Sequence, residues 1–335
     1  MCSLYEGSDR DVLEAAVALA TRAPSLFNVQ PWRWQIGTEL LHLLLDRSRG
    51  LPVTDPVFRE LTISCGAAVH HAVLALRALG RQARVRRLPD PAAPDQLATI
   101  DIVGSADPSQ AEVALAGAAG RRRTDRRQYA PEAVPSRILD ELVLAGEEVG
   151  AKVLVAEGDD RYALARAFAK AAALHGAQED YRAELAAWTG LSEGTAVGVP
   201  EPAAPQPGAQ YGDIVLRDFG RVAIAHEETG SAQHAGCILL VSTSTDDPAA
   251  HLIAGEAISA VLCTAELEGL ASSPLSEAFE IEQTRNAVRR EVLADAGYPQ
   301  VALRIGWPTT ARGPSPTGRR PVHELLHDLL DDHAD

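Results

Sequence analysis

Two stretches of this chain echo each other, and that echo constrains its fold more than any other feature. Residues 66–80 read GAAVHHAVLALRALG and residues 255–269 read GEAISAVLCTAELEG, equal in length, bounded by glycine and largely apolar. Each reads as a long helix with apolar residues on most faces, which suits a central buried element rather than a surface one. The glycines are expected to lie at the helix ends, where a residue without Cβ stops a helix easily. After each copy comes a β-rich run closing on glycine, ATIDIVG at 98–104 and VALRIG at 301–306. Two related α+β halves explain the pattern; chance likeness between alanine-rich helices is the competing explanation.

The remaining elements fit that outline. A helix is expected at 9–21, strands at 32–36 and 40–45, helices at 135–148 and within 159–188, and a strand at 237–242. Residues 120–135, GRRRTDRRQYAPEAVP, form a plausible junction between halves, with two prolines bracketing the approach to the next helix. From 189 to 233 the pattern lapses into a Gly/Pro-rich stretch that includes GVPEPAAPQPG. It is too long for a plain connection, which points to a lid or binding loop or to disorder.

Composition excludes several classes. With 46% hydrophobic and 23% charged residues, the 335-residue chain has ample material for one large core or two medium ones. A net charge of -15 opposes a general role on nucleic acid or on anionic membrane. Residues 1–10 are short, polar and acidic, and Glu256 and Glu266 interrupt the best apolar run, so neither export nor membrane insertion is expected. Cys2, Cys65, Cys237 and Cys263 form no CxxC pair; reduced thiols in a cytoplasm are the expectation, with Cys65 and Cys263 packed in helices. The ten histidines form no metal or triad constellation. Structural roles are expected for His70, His71 and His251.

Against the negative total, Arg121, Arg122, Arg123, Arg126 and Arg127 place five guanidinium groups within seven residues. Such a cluster is neutralised either by an anion with several oxygens, phosphate above all, or by nearby acids on a solvated loop. Arg319 and Arg320 form a second basic pair. Near the N-terminus, APSLFNVQPWRW at 23–34 combines a fixed proline, a serine and an amide ahead of an aromatic strand. Ser25 and Asn28 can serve the edge of a planar heterocycle. They can equally satisfy local backbone groups in a turn. Arg304, inside an expected strand, fits either a site residue or a structural ion pair.

Taken together, six ordered segments resemble the nitroreductase flavoprotein family, in its Acg-like branch of fused single-chain members. They are RAPSLFNVQPWRW at 22–34, SCGAAVHHAVLALRALG at 64–80, RRTDRRQYAPEAVP at 122–135, RDF at 217–219, GLASSPLSEAFE at 269–280, and PQVALRIGWP at 299–308 followed by RRPV at 319–322. The resemblance implies an α+β, nitroreductase-like fold, internally duplicated as a single-chain pseudo-dimer, with central sheets flanked by helices. The first half would span 1–120 and the second 121–335, with a lid at about 189–233 anchored by Arg217.

By the same resemblance, FMN would lie at the seam of the halves. Arg122, Thr124, Arg319 and Arg320 would hold its phosphate, and Arg123 and Arg126 would contact phosphate, ribityl or ring edge. Ser272, Ser273 and Pro274 would pass beside the reactive ring edge, and Pro24, Ser25 and Asn28 would cover the ring. The second half shows no second Pro-Ser-x-x-Asn turn and the first no arginine motif at its start, so one FMN per chain is implied. Asp125 is expected to point outward, paired with a neighbouring arginine.

The implied activity is reduction of nitroaromatic or quinone-type small molecules with NAD(P)H, carried by the flavin and not by a protein nucleophile or metal. A closed lid that makes the protein sequester FMN is the alternative, as is a biosynthetic oxidase or dehydrogenase. A soluble, cytoplasmic protein is expected, a monomer rather than a homodimer, with no nucleic-acid or membrane partner.

Overall fold

The two echoing segments form the centre of the molecule. In the computed structural model, which describes residues 8–205, 210–219 and 236–329, they are helices Arg59–Ala78 and Pro248–Leu267, each of 20 residues. Both start earlier than expected. Asp55 accepts from the Leu61 amide at the first N-terminus, and Asp247, followed by Pro248, accepts from the Ala250 amide at the second. Gly80 and Gly269 do stop the helices, at φ 77 and 75. Gly66 and Gly255, by contrast, are not ends. They lie inside, where the two helices cross.

The crossing is too close for any side chain. A Cβ on Gly66 would stand 2.1 Å from the Leu252 carbonyl oxygen, and one on Gly255 would stand 1.9 Å from the Ile63 carbonyl oxygen. The contacts are reciprocal: each glycine meets the carbonyl three residues before the other. Such exchange is the signature of a twofold relation between the two halves.

The sheets repeat the relation. The first runs, edge to edge, Arg81–Arg87, Gln96–Ser105, Leu40–Leu45, Trp32–Ile36; the second runs Ala271–Leu275, Tyr298–Gly306, Cys237–Thr243, Lys152–Ala156. All neighbours within these two sets are antiparallel. The registers match as well. Val85 pairs with Ile100, Ile100 with Leu41 and Leu41 with Ile36; in the second sheet Pro274 pairs with Leu303, Leu303 with Leu239 and Leu239 with Val155. A register shift falls between Leu43 and Leu44 in one sheet and between Val241 and Ser242 in the other. The α+β duplicated fold is therefore carried by register, not by likeness of composition.

Two features depart from a simple division at residue 120. Strand Leu326–Asp328, from the far end of the chain, pairs in parallel with Trp32–Ile36 and completes the first sheet as a fifth strand. Helix Gln110–Arg121 packs against both central helices, sharing a small core of Leu74, Ala118, Ala119 and Cys263. The main core of the first half buries Trp32, Trp34, Leu41 and Leu43, and that of the second buries Leu239, Val261, Leu303 and Ile305. Both central helices are long and apolar enough to cross a membrane, and both are 78% buried inside this fold.

Within the expected lid, 189–205 and 210–219 are described; 206–209 and 220–233 lie outside the described residues. The described part has structure of its own. Thr189–Leu191 pairs in parallel with Val199–Pro200, and Gln210–Tyr211 pairs with Ile214–Val215.

Candidate functional site

A cavity of about 940 Å³, counted out to its mouth, lies where the halves meet. The first half lines it with Pro24, Ser25, Leu26 and Phe27 from the turn and with Glu60, Ile63, Ser64 and Ala67 from its central helix. Opposite stand Thr124 and Arg126, Gly255 and Ile258, and Ser273 to Glu277, while Pro205 and Val215, Leu216, Arg217 and Phe219 of the lid segment close it. Size and mixed lining suit a small planar ligand.

The turn owes its shape to three residues in the left-handed region, Phe27, Asn28 and Gln30, with φ of 47, 55 and 53. Strain of this kind persists only where surrounding bonds over-determine the backbone. Here the Leu26 amide donates to Ser64 Oγ and the Gln30 amide to Ser25 Oγ. Pro24 and Ser25 thus face the cavity. Asn28 does not line it: its carboxamide donates to the carbonyls of Gly198 at 3.1 Å and Gly318 at 3.2 Å. Gln30 likewise donates to the Ala196 carbonyl. The turn therefore ties down both the lid segment and the C-terminal run.

Arg22, just before the turn, carries no distinguishing signal in the sequence, yet its backbone gathers two arginines beside the turn. Its carbonyl accepts from Arg122 at 3.4 Å and from Arg319 at 3.2 Å, and Arg319 also reaches the Ala23 carbonyl. Burial is the main cause that lowers both basic groups, Arg122 to about 10 and Arg319 to about 9, and Arg22 and Arg123 add repulsion in each case. Arg122 and Arg319 form no ion pair among the described residues. Nε and Nη1 of Arg122 and Nε of Arg319 are buried without a hydrogen-bond partner among the described residues. Buried cations are normally paired. Guanidinium donors left in this way are able to receive an anion.

The other arginines of the run are already engaged. Arg121 pairs with Glu266 at 3.4 Å, and Arg123 donates to the carbonyls of Gly120, Arg121 and Arg122, capping the helix that ends there. Arg126 lines the cavity, lying 5.2 Å from the Phe219 ring centroid and donating to the Ala203 carbonyl. Asp125 does pair with an arginine, Arg127 at 2.6 Å, but it is buried rather than outward, because its loop is pinned from within. Tyr129 donates to the Asp125 carbonyl, and Arg304 stacks 3.5 Å from the Tyr129 centroid while donating to the Arg127 carbonyl. Arg304 is thus a structural support for the arginine loop.

Arg320 also keeps one buried donor, Nη1, without a hydrogen-bond partner among the described residues, but its nearest acids lie on the other side of the chain. In extended chain, consecutive side chains point opposite ways, and Arg320 turns to Asp46 at 3.7 Å and Glu324 at 3.9 Å. Thr124 lines the cavity and bridges Ser272. Ser273 and Pro274 line it too, whereas Ser272 is buried behind them, its carbonyl accepting from the Asp125 amide.

Two acids complete the walls. Glu60 is buried beside Arg59, and burial outweighs that cation, pushing its carboxyl up to about 8. Glu277 meets His175 Nδ1 at 3.2 Å. Arg217 is buried against Glu280, with Nη1 to Oε2 at 3.0 Å, and lies 4.9 Å from the centroid of Phe27, which also receives the edge of Phe219. These contacts fix residues 215–219 against the wall of the cavity. His70, His71 and His251 stand elsewhere, against Ser259, the Leu19 carbonyl and Asp246. No cluster of three or more metal-binding side chains occurs among the described residues.

The Asn28 contacts allow a direct test of what holds residues 189–205 in place. Asn28→Gly keeps the left-handed backbone accessible and removes two bonds worth together roughly 1–2 kcal/mol. Lid amides within 189–205 are expected to exchange roughly 5- to 30-fold faster, measured by hydrogen exchange; unchanged exchange would remove Asn28 from the lid anchor.

Comparison with known proteins adds relatives along almost the whole chain. "Putative NAD(P)H nitroreductase Rv3131" of Mycobacterium tuberculosis is 41% identical over 326 residues, covering 95% of this chain and 92% of its own. "Putative NAD(P)H nitroreductase acg" of the same organism is 34% identical over 324 residues, covering 96% and 97%. Among solved structures, a nitroreductase with bound FMN from Bacteroides fragilis is 12% identical with a TM-score of 0.38, covering 62% of this chain and 94% of that one. NfnB from Mycobacterium smegmatis in complex with NADPH is 16% identical with a TM-score of 0.36, covering 58% and 89%. Likeness of that strength to a single solved chain carries no argument. No family model matches the chain.

Proposed function

The chain belongs to the nitroreductase family, and on that premise we propose that it is an oxidoreductase that holds one FMN per chain and reduces nitroaromatic or quinone-type molecules with NAD(P)H. The observation that carries this reading is the pair of buried arginines, Arg122 and Arg319, that keep guanidinium donors without hydrogen-bond partners among the described residues and converge on the Arg22 carbonyl, two residues before Pro24 and Ser25, which line the partly apolar cleft between the halves. Arg22, Arg122 and Arg319 would take the phosphate, with Thr124 beside them and Arg126 toward the ribityl chain or ring. Pro24 and Ser25 would cover the ring from the first half; Ser273 and Pro274 would run along its edge from the second. When bound, FMN supplies hydride transfer, which the protein need only position and tune.

The chain's own residues have three tasks in this reading. The arginines fix the anionic end, so that the planar end is held by the turn and the strand 271–275 and not by affinity for the ring alone. Phe219, Leu216 and Pro205 exclude water from the face they cover. Glu60, whose carboxyl burial makes harder to ionise than an exposed one although Arg59 donates to it, adds a polar group to the wall of the cavity. Because both halves of the site reside in one polypeptide, the protein would act as a monomer, in the cytoplasm.

The Arg217–Glu280 pair and the Phe27–Phe219 contact favour a second reading, in which the lid stays shut and the protein stores FMN with little turnover. Anaerobic mixing of FMN-loaded protein with NADH and separately with NADPH discriminates them. Prompt bleaching of the oxidised flavin band is expected for a reductase, at a rate set by lid opening. A spectrum that stays oxidised with both donors would overturn the reductase reading in favour of storage.

A further inference from the structure

The twofold relation between halves defines a second cavity position, and the residues there differ in one decisive way. Between the central helices the correspondence is a shift of 189 residues, as for Gly66 with Gly255 and Gly80 with Gly269. The same shift holds in the edge strands, where Val85 and Pro274 occupy one register position. Ala67 and Ser276, which line the cavity from opposite halves, therefore correspond to Glu256 and Arg87.

Glu256 and Arg87 are bonded to each other. Arg87 Nε meets Glu256 Oε1 at 2.6 Å and Nη2 meets Oε2 at 2.8 Å, a two-pronged pair with Glu256 buried. We propose that the Arg87–Glu256 ion pair is a plug that fills the second cofactor position of the duplicated fold, leaving the chain one site where its symmetry provides two. Where the working cavity has a methyl and a hydroxymethyl group, the counterpart has two long side chains locked across the same gap. A buried pair of this kind is a costly filler, since apolar residues of like volume do as well or better for stability. The two partners come from different halves, as Ala67 and Ser276 do, so the plug also ties the halves together.

Two further absences agree with it. Residues 148–151, EVGA, precede strand Lys152–Ala156 as 24–31 precede Trp32–Ile36, and supply neither the serine nor the amide of that turn. The arginine cluster assigned to the first site, Arg22 with Arg122 and Arg319, draws on the junction and the C-terminal run, which occur once.

The proposal rests on the reading of the first cavity as an FMN site, and its test separates the two. Arg87→Ser with Glu256→Ala installs the working pair at the second position. Calorimetric titration with indole, a small planar probe, is expected to show one more bound equivalent in this variant than in wild type, both loaded with FMN. The reverse graft, Ala67→Glu with Ser276→Arg, is expected to lower flavin content from one per chain to under about a tenth while circular dichroism stays native. A folded Arg87→Ser/Glu256→Ala protein that takes up no additional indole overturns the plug. Should that variant not fold, the graft decides alone: full retention of FMN overturns the proposal and its loss in a folded chain supports it. Wild-type protein that never takes up FMN sinks the cofactor reading instead, and the indole difference between variant and wild type then still decides whether the second position is plugged.

Discussion

Gly255→Ala is expected to unfold the seam between the halves, with a melting temperature lower by roughly 6–12 °C and no recoverable FMN site. A Cβ there meets the Ile63 carbonyl oxygen at 1.9 Å, the Ala67 amide nitrogen at 2.8 Å and Gly66 Cα at 2.9 Å. All three are backbone atoms of a buried helix, so no side-chain rotation relieves the clash and the helices must part. Overpacking a core costs about 1–3 kcal/mol and more when backbone must move, and about 3 kcal/mol corresponds to that shift at roughly 2–4 °C per kcal/mol. The crossing also positions the cavity, because Gly255 and Ile63 line it. Gly66→Ala is expected to act alike, through Leu252. The control is Gly269→Ala, where the added Cβ meets nothing within 4 Å and only the φ of 75 is strained. Differential scanning calorimetry of the three variants measures this; equal shifts for Gly255→Ala and Gly269→Ala would show that the close crossing is not what the glycines are for.

That crossing also shows what is and is not legible in the chain. Strands 32–36 and 40–45 are readable to the residue, since aromatic or leucine-rich runs end at Gly37 and Asp46, local signals that no tertiary contact overrides. The echo is readable too, but the meaning of its first glycines is not. Glycine within a helix and glycine at its end look alike until the partner helix is placed. The signal that moves the second helix start back to Pro248 is present in Asp247 followed by Pro248.

Other elements carry weak local signal or none. Strand Arg81–Arg87 alternates charged and small residues at a sheet edge, which reads as solvated loop, and Leu326–Asp328 becomes a strand only because Trp32–Ile36 offers it an edge. At the site, residue type points to an anion but not to which arginine meets it. Arg320 is expected there from sequence and has Asp46 as its nearest acid, at 3.7 Å; Arg22 is not expected, although it stands two residues before Pro24 of the Pro-Ser-x-x-Asn turn. Backbone direction decides between neighbouring residues of one run, and composition does not encode it. Glu60 and Glu277 escape sequence reading for the same reason, being ordinary surface residues in a sequence and cavity walls in the fold.

Arg122→Ala with Arg319→Ala is expected to weaken FMN binding by roughly 10²- to 10⁴-fold, taking about 1.5–3 kcal/mol for each charge-assisted hydrogen bond removed. The same pair of substitutions is expected to stabilise the protein without FMN. Both arginines are held below their ordinary basicity chiefly by burial, to about 10 and about 9, so folding disfavours their charged forms. For a base whose folded value is depressed, the penalty is complete below that value, and stability rises as pH climbs from about 9 toward the ordinary, higher value of the unfolded chain. At neutral pH the penalty is therefore fully present in the FMN-free protein, and an anion between the guanidiniums removes it. Melting curves with and without FMN, and with inorganic phosphate alone, test the inversion. Wild type is expected to gain much more from either anion than the double variant does, and the FMN-free double variant to melt at or above FMN-free wild type. A double variant that melts lower than wild type without ligand, and binds FMN undiminished, would show that these arginines serve packing and that the phosphate lies elsewhere.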